Sequence, residues 1–171
     1  MIDWVKINPA DTKWTSWNLT EINTQGVEMG IKFHLQEVIP AFGKQSYISL
    51  DYMRMHQTSN TKDLISMYGL NYLRDKVTAQ FNHQIYKNLS AGWYLRFQKR
   101  MGTYEKYENQ IKLRDEHYPA FSTLDLKLNY KYEDILFNLS LNNLYNTHYF
   151  DRGNIPQAGF WLTGGISYTL R

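Results

Sequence analysis

From Ser122 to Asn142 the chain reads STLDLKLNYKYEDILFNLSLN, and this alternation constrains the fold more than anything else in the sequence. Leu124, Leu126, Leu128, Tyr130 and Tyr132 fall on one side of an extended chain, with Asp125, Lys127, Asn129 and Lys131 on the other. A period of two is that of a strand with unlike faces, since a helix would scatter both sets around its axis. After Glu133-Asp134 the device repeats, with Ile135, Phe137, Leu139 and Leu141 opposite Leu136, Asn138, Ser140 and Asn142. The two segments predict a hairpin with a tight turn.

The same pattern recurs upstream. Val27, Met29, Ile31, Phe33 and Leu35 alternate with polar residues and lead, through Pro40 and Gly43, to SYISLDY. Val77, Ala79 and Phe81 pair in the same way with Ala91, Trp93, Leu95 and Phe97 across the turn Tyr86–Asn88. With IDWVKI at the start, read as a shortened strand, and the alternating close TGGISYTLR, the count is about eight strands. The expected class is all-β, an antiparallel up-and-down meander of about eight long strands, either a curved open sheet or a small closed barrel. Connections are very short on one side, while residues 8–18, 58–69, 101–119 and 146–156 form long loops on the other.

Composition narrows the setting. Hydrophobic residues make up 43% and charged residues 20%, enough apolar material for one folded unit, 1–171. The net charge of +3 is too weak and too scattered to argue for nucleic acid. No apolar run approaches the roughly 20 residues of a spanning helix, which leaves a strand-built membrane protein open. Cysteine is absent, so there are no disulfides and no thiol chemistry. No secretory signal follows Met1, so the chain is expected either to stay in the cytoplasm or to be a piece of a longer protein.

Alternation alone does not separate a membrane barrel from a soluble β-sandwich, whose apolar faces turn toward each other. Strand length, one-sided long loops and aromatic residues near strand ends favour the barrel in the cell outer membrane of a Gram-negative bacterium. In that setting a lipid-facing Lys costs about 2–4 kcal/mol near the midplane. Glu28, Lys32, Asp51, Arg96, Arg100, Asp125, Lys127 and Lys131 are therefore expected to face the lumen. Met53, Arg54, Met55 and His56 break the pattern and are read as lying above the membrane boundary.

Thr163, Gly165, Tyr168 and Leu170 match polar-x-Gly-x-x-aromatic-x-hydrophobic, which resembles the C-terminal signal read by the barrel assembly machinery, with Arg171 as a departure. The longer stretch LSLNNLYNTHYFDRGNIPQAGFWLTGGISYTL resembles the last hairpin of TonB-dependent receptors, with an ascending strand ending Leu144-Tyr145-Asn146. KNLSAGWYLRFQKRMGTY and NTQGVEMG are similar to the late barrel strands of that family, particularly cobalamin and siderophore receptors of Bacteroidetes-like bacteria. Such receptors close about 22 strands around a plug. The resemblance implies a C-terminal barrel segment without plug domain or TonB box. Its implied partners are outer-membrane lipid, the rest of the receptor barrel and its plug, TonB through the missing part, and a small-molecule ligand, vitamin B12-like or iron-siderophore. A self-contained eight-stranded barrel (anchor, porin-like or enzyme) and a soluble binding sandwich remain the alternatives.

Chemical motifs are few. The five histidines lie too far apart in sequence for metal-site spacing, and no cofactor is implied. Asp115, His117 and Ser122 share one short polar stretch, which fits a loop better than a catalytic triad, so no catalytic residue is assigned. Ligand contact is expected from aromatic residues of the long loops: Trp14 and Trp17, then Tyr104, Tyr107 and Tyr118, then Tyr149 and Phe150. Tyr104, Tyr107 and Ile111 also have the spacing of a short helix.

Overall fold

The computed structural model describes residues 2–8, 10–18, 21–39, 41–43, 45–59, 64–67, 69, 71–151 and 155–170; Pro40 and Arg171 lie outside them. In chain order the strands are β1 (Ile2–Lys6), β2 (Thr15–Asn18), β3 (Ile22–His34), β4 (Tyr47–Ser59), β5 (Ile65–Ser66) and β6 (Leu73–Tyr86). They continue as β7 (Leu89–Arg100), β8 (Thr103–Glu108), β9 (Ile111–His117), β10 (Phe121–Tyr132), β11 (Ile135–Asn142) and β12 (Trp161–Tyr168). Seven form one antiparallel sheet in the order β12-β11-β10-β7-β6-β4-β3, an up-and-down meander that is open, with β12 and β3 as its edges. β3, β4, β6, β7 and β10 each run 12–14 residues, while β11 and β12 have eight.

Register turns the sequence stripes into faces. Phe33 stands opposite Ile48, Ile48 opposite Phe81, Phe81 opposite Trp93, Trp93 opposite Leu126 and Leu126 opposite Leu141. One apolar face thus crosses the sheet, held to a single register because a one-residue slip would turn every side chain over. This face is uncovered: Met29 is 59% exposed and Ile166 71%, so among the described residues no second sheet packs there as a sandwich requires. The other face carries Glu28, Lys32, Asp51, Arg96, Asp125, Lys127 and Lys131, and Arg100 ends the same row of β7. Lys32 of β3 and Lys131 of β10 border one cavity although three strands separate their own, so the sheet curls with its polar face concave.

The turns Lys87-Asn88 and Glu133-Asp134 stand where the alternation places them, with positive φ at Lys87 and Glu133. The third connection on that side, residues 35–46, is longer and holds a single 3-10 turn, Leu35–Glu37, which takes Leu35 out of the β3 stripe.

Several expectations are corrected. IDWVKI is not a strand of the main sheet: β1 pairs with β2 and β5 in a separate three-stranded sheet. The segment 101–119 is neither loop nor helix but the hairpin β8–β9, because its cross-strand charges pair. β11 stops at Asn142, where Asn143 takes a φ of 52°, so Leu144-Tyr145-Asn146 belongs to the turn. The closing strand ends at Tyr168, and Leu170 lies beyond it, 85% exposed. Apart from Ala91, the buried apolar side chains among the described residues are Val5, Tyr104, Tyr118 and Phe121, which places the core among the inserts at the long-loop end.

Candidate functional site

The connection from β11 to β12 folds back over the loop end of the concave face. Asn143, nearly buried, directs this: its backbone N–H donates to Asp125 Oδ1 at 2.7 Å. Its side-chain amide donates to the carbonyls of Thr147 at 2.9 Å and Ala158 at 3.1 Å, while its Oδ1 accepts from the Thr147 N–H at 3.0 Å. Asn tolerates the left-handed backbone that this corner needs, and its short amide bridges both arms of the loop. Thr147 Oγ1 donates to the Ser122 carbonyl at 2.7 Å, fastening the loop to β10.

This fold-back brings Tyr149 onto Phe121, the rings stacked at 4.1 Å between centroids, and onto Arg96, whose Nη2 donates to the Tyr149 hydroxyl at 2.9 Å. The guanidinium lies 5.4 Å from the Phe121 ring and 5.5 Å from that of Tyr149. Cation–π attraction and a hydrogen bond together fix its direction. Beneath the loop is a cavity of about 490 Å³, bordered by Arg96, Asp125, Tyr94, Tyr149, Asn142 and Trp161. Its wall offers one cation, one carboxylate, planar amides and three rings, within the size range of small-ligand sites. The Asn142 Nδ2 there is buried with no hydrogen-bond partner among the described residues.

Beside it the inserts interlock. Tyr104 packs on Tyr118 at 5.0 Å and stacks on Phe150 at 5.3 Å. Arg100 donates to the Asn71 carbonyl at 2.8 Å, lies 3.6 Å from Asp151 and sits over the Tyr118 ring. The β8–β9 hairpin is tied to the small sheet through Glu105, which pairs with Lys6 and, at 2.8 Å, with Lys112. Burial alone would raise the Glu105 pKa, but hydrogen bonds from Lys112, Lys6 and Tyr107 outweigh it and bring the carboxyl from 4.5 down to about 2. Donating to that carboxylate at 2.7 Å pushes the Tyr107 hydroxyl up.

The aromatic candidates from the sequence therefore divide. Trp14, Tyr104, Tyr107 and Tyr118 border a second cavity of about 190 Å³, while Tyr149 borders the larger one. Phe150 packs on Tyr104, and Trp17 stands exposed on β2. Tyr104 and Tyr118 are 6% exposed each, which makes them packing groups before anything else. Asn143 and Phe121 carry no sign of their role in the sequence beyond the paired asparagines Asn142-Asn143 at the end of β11. At the chain end, Thr163 faces Ser140, Gly165 faces Asn138 and Tyr168 faces Ile135, with Leu170 outside the ladder. Among the described residues no group of His, Asp and Glu is assembled for a metal. Compared with known proteins, the chain matches no family model, no curated protein and no solved structure.

Proposed function

We propose that this chain is a wall segment of an outer-membrane β-barrel of the TonB-dependent receptor type, serving uptake of a vitamin B12-like or iron-siderophore ligand. One observation supports the reading above others: a seven-stranded open meander leaves a continuous apolar face uncovered and turns a charged face inward on the concave side. In water such a face is a liability, since each large apolar side chain gains about 1.5–3 kcal/mol on leaving it. Against acyl chains it is the matched surface, with the polar face turned to a lumen. The free edges of β12 and β3 agree with a segment of a larger barrel better than with a self-closed one. The ligand is met at the loop end, at the cavity beside Arg96 and Tyr149, in a transport role and not a catalytic one.

Trp93 and Trp161 test this directly, because the first lies on the apolar face and the second, opposite Asn142, on the polar one. With each kept as the sole tryptophan and the chain reconstituted in bilayers of brominated lipid, Trp93 fluorescence is expected to be quenched and Trp161 spared. Equal quenching, or none at Trp93, removes the membrane reading. Ligand titration then probes the cavity: alanine at Arg96 and Tyr149 together is expected to weaken uptake-ligand binding about tenfold, or about 1.4 kcal/mol.

A further inference from the structure

The turn end of the concave face holds another cavity, about 1090 Å³, whose wall among the described residues carries charge of one sign only. Lys32, Lys87 and Lys131 border it, and among the described residues neither Asp nor Glu does. Among the described residues none of the three is ion-paired, and the ion pairs between described residues involve strand ends or inserts toward the opposite end. Two of the ammonium groups turn to rings instead: Lys32 Nζ lies 3.8 Å from the Tyr47 centroid and Lys87 Nζ 5.3 Å from that of Tyr86. The nearest carboxylates stand outside the wall. Asp51 lies against Gly30 and accepts a long hydrogen bond from Thr78, and Glu133 and Asp134 form the turn beyond Lys131. The wall also offers amides, and the Nδ2 of Asn82 is buried there without a partner among the described residues.

Cations of one sign around a low-dielectric concavity focus a positive potential into it. Their spread says what kind of anion suits it. Lys32 on β3 and Lys131 on β10 are four strand spacings apart, about 19 Å along the sheet before the curl shortens it. A single phosphate or carboxylate does not reach both. Lysines are also flexible point charges, not the rigid fork that selects one planar carboxylate. We propose that the turn-end cavity binds a small polyanion, a molecule carrying two or more phosphate or carboxylate groups. The proposal rests on the polar face alone and is independent of whether the apolar face meets lipid.

The test is isothermal titration of the folded full chain, held in a zwitterionic detergent, with tripolyphosphate and separately with citrate. Saturable binding of at least one probe is expected, weakening as salt is raised, with the tighter probe identifying phosphate or carboxylate as the preferred group. The double variant Lys32→Gln/Lys131→Gln is expected to bind at least about tenfold more weakly, whereas Lys106→Gln, on the outlying β8–β9 hairpin, binds like the unsubstituted chain. Lys87→Gln, in the turn, gives a smaller loss and serves where the double variant loses its β-sheet circular dichroism. Absence of saturable binding to folded protein, binding untouched by the turn-end substitutions, or equal loss in Lys106→Gln overturns the proposal.

Discussion

The two ends of the concave face are built by the same strands and treat their cations in opposite ways. At the loop end Arg96 and Arg100 are held by Tyr149, Asn71, Asp151 and aromatic rings, and the neighbouring Lys6 and Lys112 share Glu105. At the turn end Lys32 and Lys131 have no carboxylate in their cavity wall among the described residues. The strands supply charges to both ends alike, so the difference comes from the connections. The long inserts bring carboxylates and rings from elsewhere in the chain onto the cations, whereas the turn-end connections, Glu133-Asp134 included, place no described carboxylate in the cavity wall. Charge on a strand thus becomes structural scaffolding or free electrostatic surface according to what the adjoining loop carries.

That contrast breaks or sharpens by substitution, the loop end responding most. Glu105→Ala leaves Lys6, only 3% exposed, without its carboxylate, and is expected to cost about 3 kcal/mol in denaturant unfolding. Acid probes the same group. Because the folded pKa of about 2 lies below the ordinary 4.5, the stabilisation is complete above pH 4.5 and disappears as pH falls toward 2. About 2 kcal/mol is expected to be lost across that window, and a Glu105→Gln chain should show none of it. Asn143→Ala removes the bridge between the loop arms and strains a φ of 52°, for about 2 kcal/mol; Asn143→Gly relieves the strain and recovers part of it. Tyr149→Phe deletes one hydrogen bond to Arg96 but keeps the stack on Phe121, a loss of about 1 kcal/mol. Lys131→Gln at the turn end is expected to change unfolding by less than about 0.5 kcal/mol. A loss at Lys131 as large as that at Glu105 would erase the distinction between the ends.

What the sequence made legible was whatever depends on period two. The faces of β3, β6, β7, β10 and β11 and the turn at Glu133-Asp134 follow from alternation alone, because strand geometry leaves a side chain only two directions. β1 was misplaced for a physical reason: Asp3 and Lys6 are buried in it, yet their partners Ser66, the Gly69 N–H and Glu105 lie distant in sequence. The hairpin β8–β9 escaped because both its faces are charged and its cohesion comes from Lys106–Glu116 and Glu105–Lys112 pairs. The Tyr104, Tyr107, Ile111 spacing is compatible with a short loop helix as well. A turn signal was present in Asn109, which together with Gln110 takes positive φ. Of the loop-end cavity, Arg96, Asp125 and Tyr149 are legible as charges and loop aromatics, but not that Asn143 folds the loop down upon them.

The β8–β9 hairpin also bears on how quickly the sheet assembles. β6–β7 and β10–β11 are joined by two-residue turns and need little loop closure, so each forms on the microsecond scale of an isolated hairpin. Joining them requires β7 to find β10 across twenty intervening residues, 101–120. A flexible loop of that length must surrender its configurational freedom before any pairing energy returns. Once the insert has paired with itself, the chain left to be ordered is only the few residues flanking it, and its tip no longer samples the space between the strands. The hairpin then acts as a splint, turning a search by a floppy loop into the docking of two preformed pairs.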